Sequence, residues 1–148
     1  MNLVSLTDAV KLLNSGANVA IPTETVYGLA GLITQPAALQ NIFKIKERPF
    51  FDPLIVHVSD VKYAKLLVKS WNPLVDLLAQ KFWPGPLSIV LPKSDRIHPI
   101  INSGLDTVAL RCPSHPIAQK LLQELDAPFA APSANKFGKT SPTDAKHV

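Results

Sequence analysis

The sequence predicts an α/β fold, a mixed twisted sheet flanked by helices. Three observations predict it. Short apolar runs rich in Val, Ile and Leu alternate with segments whose apolar residues recur at helical spacing. The polar side chains that stand out fall at the ends of those runs and on the loops beyond them, where open α/β sheets bind ligands. Finally, 148 residues, 47% of them hydrophobic and 18% charged, suffice for one domain over residues 1–148 with a sizeable core.

Taken in order, Ser5 caps a first helix with Asp8 in its first turn. Leu6, Val10 and Leu13 follow at helical spacing, and Gly16 ends the element. Residues 18–21 form a strand that stops at Pro22 and runs into Thr23-Glu24-Thr25. Gly28, Ala30 and Gly31 beside that loop suit either close approach of a ligand to the backbone or tight packing. Pro36 opens a helix carrying Leu39, Ile42, Phe43 and Lys46, which Pro49 stops. Residues 54–58 form a strand with His57 on the face of Ile55, opposite Leu54, Val56 and Val58.

Ser59 can cap a helix reaching about Lys69, with Lys62, Lys65 and Lys69 along one face. Such a stripe is first a solvated surface and second an RNA-facing one. Asn72-Pro73 starts another helix with Leu74, Leu77, Leu78 and Phe82 turned inward, and Trp83-Pro84-Gly85-Pro86 stops it. Residues 87–91 read as a buried strand, and 92–104 as a loop with a brief element in it. Residues 107–111 are a strand ending on Arg111, which either points outward or meets an anion. Ser114 and Pro116 start a helix with Ile117, Leu121 and Leu125 inside; residues 128–132 are a strand, with Ser133-Ala134-Asn135 in the turn after it. Ser141-Pro142-Thr143-Asp144 reads as a helix start one turn before Val148, so the chain is expected to be a fragment or the product of a shortened gene.

Composition excludes several classes. No apolar run is long enough to span a bilayer, and no basic region precedes an apolar stretch at the N-terminus. One cysteine, Cys112, cannot form an internal disulfide; it is expected to be buried or half-buried with no catalytic part. A cytoplasmic location follows as the expectation. His57, His98, His115 and His147 lack paired zinc spacing, and no nucleophile elbow, P-loop or dinucleotide fingerprint occurs. A formal charge of +4 favours polyanions without choosing among them. What remains is a set of cations and hydroxyls. Lys46 and Arg48 stand two apart on a segment whose direction Pro49 and Pro53 constrain, an arrangement suited to holding an anion.

Several stretches together, in this order, resemble the YrdC (TsaC) family. They are Pro22-Thr23-Glu24-Thr25-Val26-Tyr27-Gly28-Leu29, Lys46-Glu47-Arg48, Pro53-Leu54-Ile55-Val56-His57-Val58 and Phe82-Trp83-Pro84-Gly85-Pro86-Leu87, then Thr107-Val108-Ala109-Leu110-Arg111, Ala131-Pro132-Ser133-Ala134-Asn135 and Ser141-Pro142-Thr143. The resemblance implies a YrdC-like domain with an open basic cleft that makes threonylcarbamoyl-adenylate from L-threonine, bicarbonate and ATP, for a tRNA-modification transfer complex. Magnesium would travel with the triphosphate. By position, Lys46 and Arg48 would meet the triphosphate, with Asp52, Thr107, Ser133, Asn135 and Ser141 also on the ATP side. Thr25, His57 and Arg111 would hold threonine. Family members commonly carry asparagine where this chain has Asp52, and they continue past the last motif with a strand motif, Glu-Ser-Thr, and a later arginine that line the same pocket. A second reading is an RNA-binding module of the same fold without catalysis. A third is a domain cut from a larger hydrogenase-maturation protein, against which the free N-terminus argues.

Overall fold

The computed structural model describes residues 3–148. Its six strands form one sheet in the order β1-β2-β6-β3-β5-β4. The strands are β1 Val19–Ile21, β2 Gly28–Leu32, β3 Ile55–His57, β4 Ile89–Pro92, β5 Thr107–Arg111 and β6 Phe129–Ala130. Among the described residues only the β3–β5 pair is parallel and the other pairs are antiparallel, so the sheet is mixed as the alternation of elements predicts. The helices are α1 Leu6–Asn14, α2 Pro36–Lys46, α3 Val61–Leu66, α4 Pro73–Phe82 and α5 Pro116–Leu125.

The sheet's parity explains where the open surface lies. Successive residues of a strand point to opposite faces. Leu29, Val56, Val108, Leu110 and Ala130 point to one face, where they pack with Leu39, Ile42 and Phe43 of α2, Ala64 of α3, and Val75 and Ala79 of α4. Ala30, Leu32, Phe129 and Ala131 point to the other, where they meet Ala9 and Leu13 of α1 and Ala118, Leu121 and Leu122 of α5. Those two helices cover the β1–β2–β6 side of that face. Over β3 and β5 the same face stays open, with Ile55, Thr107 and Ala109 half-buried on it.

Local signals placed most helix starts. Ser5 accepts from the Asp8 amide (3.1 Å), Asn72 from that of Val75 (3.0 Å), and Pro36 and Pro73 sit in first turns. Gly16, at φ +88°, closes the turn after α1 in the left-handed region that glycine tolerates. Lys46 ends α2 before Glu47, itself left-handed at φ 52°, so the chain turns ahead of Pro49. Gly31 is small for packing: a Cβ there would come within 2.7 Å of the Asn18 Nδ2 and 3.1 Å of Ile42.

Several expectations are corrected. Residues 28–32 form an interior, wholly buried strand, second from the sheet edge, where the sequence suggests only small residues beside a loop. Asp60, not Ser59, caps α3 by accepting from the Tyr63 amide (2.9 Å), and the helix ends at Leu66. Lys69 therefore lies outside it, and Lys65 is held by Asp76 at 3.3 Å, so no three-lysine stripe runs along one helix. On α4, Val75 and Ala79 are the buried positions, while Leu74, Leu77 and Phe82 are exposed. His115 rather than Ser114 caps α5, and Ile117 is exposed where Ala118 and Leu122 are buried. β4 is an edge strand with Val90 outward, not a fully buried one. Ser141 starts no helix: Asp144 caps a single 3-10 turn, Ala145–His147.

Candidate active site

A cleft of about 380 Å³ lies on the open face of β3 and β5. Thr23, Thr25, Arg48, Asp52, His57, Arg111 and Ser133 line it, together with Gly28 and Ile55. Arg48 and Ser133 thus share one concavity, as the motif order predicts. The cleft has two ends, set by strand direction. β3 and β5 run in parallel, with His57 beside Arg111 at their last residues. The Arg48–Pro53 segment enters β3 from its first residue, and Ser133 follows β6, which is antiparallel to β3, so both lie at the opposite end. Thr107 shares the open face with Ala109 and Arg111 but begins β5, four residues and about 13 Å from Arg111. It does not line the cleft itself and lies toward the Arg48 end.

At the β3–β5 carboxyl end, Arg111 is only 8% exposed and turns inward. The anion it meets is in the chain: a Glu24 oxygen lies 2.9 Å from its Nη2, which also donates to Thr25 Oγ1 at 3.1 Å. The Thr23 hydroxyl accepts from the Thr25 and Val26 amides (both 3.2 Å) and donates to the Val26 carbonyl (2.7 Å), fixing the loop that carries Glu24 and Thr25. The resemblance points to Thr25 and assigns no role to Thr23 or Glu24. The signal was present, three adjacent hydroxyl or carboxylate side chains after a strand, yet nothing local shows which one turns toward residue 111. Burial works against the Glu24 charge, but contact with Arg111 and nearby amides still holds its pKa below the usual carboxylate range. The Arg111 Nε and His57 Nδ1 are buried without a partner.

His57 is 2% exposed, with its ring stacked on Phe129 at 5.7 Å. Burial, with the Arg111 charge second, lowers its pKa from 6.5 to about 4. The unfolded chain therefore takes up a proton at His57 between pH 6.5 and 4 while the folded chain does not, so stability contributed by this site falls as pH drops through that window. The loss is up to about 3 kcal/mol. Urea unfolding at pH 7 and pH 4.5 should show a markedly smaller pH decrement in His57→Gln than in wild type. Equal decrements would mean that His57 is not held neutral.

At the other end, Arg48 is fixed by chain-internal acceptors. Its Nε donates to the Asp52 carbonyl (3.1 Å), its Nη2 to that of Pro53 (2.9 Å), and Nη2 also pairs with the Asp52 carboxylate (2.9 Å). The departure at Asp52 is thus compensated by its own arginine. Lys46 does not line the cleft. It is 2% exposed and its ammonium donates to the main-chain carbonyls of Ser133 and Asn135. Burial, then the Arg48 charge, push its pKa down to about 8 against the pull of Asp52. Lys46 therefore shapes the loop that presents Ser133. The Asn135 amide donates to the Lys136 and Lys139 carbonyls (both 2.8 Å), which leaves its buried Oδ1 unpartnered. Half-buried Ser141 precedes Pro142, whose carbonyl accepts from the Tyr27 amide (2.8 Å) and ties this segment to the cleft wall. Both lining arginines are paired with acids, so the cleft is less basic than its cations alone suggest.

Cys112 is buried; it touches the Ser59 carbonyl (3.3 Å) and the Gln119 amide (3.2 Å), and burial raises its pKa. A raised pKa and no access fit a structural thiol.

The family model for Sua5, YciO and YrdC, described as "Telomere recombination", matches residues 11–148. The chain belongs to this family. A relative from Pyrococcus abyssi named threonylcarbamoyl-AMP synthase is 47% identical over 140 residues, which cover 95% of this chain and 41% of that protein. A Bacillus subtilis protein of the same name is 44% identical over 144 residues, 97% of this chain and 42% of its own length. The crystal structure of P. abyssi Sua5 complexed with L-threonine superposes with a TM-score of 0.94 at 44% identity, covering 99% of this chain and 44% of that one. The chain thus spans about two fifths of these relatives' length. Among the described residues, no helix is long and apolar enough to cross a membrane.

Proposed function

We propose that this domain is a nucleotidyltransferase, an L-threonylcarbamoyladenylate synthase that forms threonylcarbamoyl-AMP and pyrophosphate from L-threonine, bicarbonate and ATP. The product would feed threonylcarbamoyladenosine modification of tRNA. The observation that carries this reading is the two-ended cleft. One end has a cleft-lining arginine beside a hydroxyl and a neutral imidazole, which suits a small hydroxylated amino acid. The other has Arg48, Asp52 and Ser133 on a loop braced by Lys46, with Asn135 and Ser141 alongside. The names of the two relatives and the threonine bound to the P. abyssi protein support it.

In this reading the Arg111 guanidinium takes the threonine carboxylate, while Thr25 and His57 border the rest of the amino acid. The threonine amine adds bicarbonate-derived carbon dioxide to give a carbamate, with loss of water overall. A carbamate oxygen attacks the α-phosphorus, the phosphoanhydride bond breaks, and pyrophosphate leaves. Such a displacement asks the protein mainly for positioning and for positive charge near phosphate oxygens. Arg48 and the Ser133 loop supply these at one end of the cleft, with Thr107 on the same open face. The Asp52 carboxylate offers one oxygen donor toward a magnesium ion, which fits an ion carried by the triphosphate and largely ligated by it.

The test incubates the protein with ATP, L-threonine and bicarbonate and measures pyrophosphate release and the acyl-adenylate by mass. Both should depend on all three substrates. ATP and threonine binding without any acyl-adenylate would overturn the synthase reading. RNA binding without nucleotide binding would favour the RNA-module reading instead.

A further inference from the structure

We infer that Glu24 makes the Arg111 end of the cleft selective for zwitterions: its carboxylate cancels the Arg111 charge, so the subsite takes an α-amino acid and discriminates against a carboxylate that brings no ammonium group. The inference rests on the reading of that end as the amino-acid subsite.

Four observations carry it. Both Glu24 carboxylate oxygens are buried, and Oε1 lies 2.9 Å from the Arg111 Nη2. Arg111 lines the cleft, and among the described residues its Nη1 meets no acceptor and is not one of the buried atoms, so a ligand carboxylate can still be received there while Glu24 holds Nη2. His57, on the neighbouring strand, is buried and neutral above about pH 4, so it adds no charge. The next charged pair, Arg48 with Asp52, is also internally balanced and lies at the other end of the cleft.

The formal charge at the Arg111 end is therefore zero before a ligand arrives. A plain carboxylate would place a net negative charge in a poorly solvated recess beside Glu24. A zwitterionic amino acid keeps the total at zero when it binds, before its amine gives up a proton to become the carbamate. Charge in such an environment is costly unless compensated, so discrimination arises from repulsion as much as from attraction. An arginine alone at this position would hold any small carboxylate; the acid beside it supplies the selectivity.

The ligand pair that isolates this effect is L-threonine and 3-hydroxybutyrate, which is threonine without its amine. Calorimetry on the wild-type chain should show threonine binding tighter by on the order of tenfold or more, the range of one charge-assisted contact. In Glu24→Gln that preference should shrink by at least about tenfold, with 3-hydroxybutyrate binding more tightly in absolute terms than it does to wild type. A variant that had merely lost structure would bind both ligands worse. Glu24→Asp keeps the charge and should retain the preference. If wild type binds threonine and the Glu24→Gln preference is unchanged, Glu24 does not set selectivity. Wild type that binds both ligands equally overturns the inference without any variant, should Glu24→Gln fail to fold. Wild type that binds no threonine overturns this inference together with the proposed function.

Discussion

Replacing Arg111 with methionine should abolish measurable L-threonine binding and cost about 3–5 kcal/mol of stability. The two effects have one origin. Arg111 is nearly buried, and its guanidinium holds the buried Glu24 carboxylate and the Thr25 hydroxyl together. Without it, Glu24 must remain charged in a recess with only amides near it, or take up a proton. Adding Glu24→Gln to Arg111→Met should recover much of the lost stability, because the uncompensated charge is then gone. It should not recover threonine binding, because no cation is left for the ligand carboxylate. Urea unfolding and calorimetry on the two variants separate these outcomes. A single variant destabilised by less than about 1 kcal/mol would show that the pair contributes no more than an exposed surface ion pair does.

Lys46 and Arg48 should fail differently, although both stand in one short motif. Arg48→Ala should weaken ATP binding by roughly ten- to hundredfold, the range expected when a charge-assisted contact is lost. It also leaves Asp52 as an unpaired negative charge at the end of the cleft proposed for the triphosphate. Arg48→Lys should recover only part, since an ammonium cannot reproduce the fork that holds two carbonyls and a carboxylate. Lys46→Met should weaken ATP binding to a similar degree and in addition cost about 2–4 kcal/mol of stability, because two buried carbonyls lose their donor. Threonine affinity should barely change in Arg48→Ala, whose side chain lies at the far end of β3 from Arg111. Calorimetry with ATP and with threonine, alongside unfolding curves, would check the pattern. Unchanged ATP binding in both variants would remove this end of the cleft from the nucleotide site.

Much of the fold was legible because its signals are local. Caps and first-turn prolines mark a helix start within four residues, and Ser5, Pro36 and Asn72 each did so here. The Thr107–Arg111 strand and the facing of His57 with Ile55 follow from a period of two. Which side of a helix is buried proved less legible. On α4 the leucines at 74 and 77 face solvent while Val75 and Ala79 pack, because the sequence offers apolar residues on more than one face and only the neighbours choose. The strand from Gly28 to Leu32 was missed because small residues carry little strand signal; Gly31 is there to admit Asn18 and Ile42.

Composition, periodicity and motif order sufficed for the α/β class, the mixed sheet, and the cations and hydroxyls of the proposed subsites, because none of these signals depends on long-range contacts. That Lys46 points into the Ser133–Asn135 loop and away from open solvent follows from packing. Packing also leaves Thr107 outside the cleft that Arg111 lines. The pairing of Glu24 with Arg111 was likewise beyond the sequence. These partners are 86 or more residues apart. Whether a buried cation meets a carboxylate, a carbonyl or a ligand is set by how strands and loops come together in space, and no local pattern encodes that.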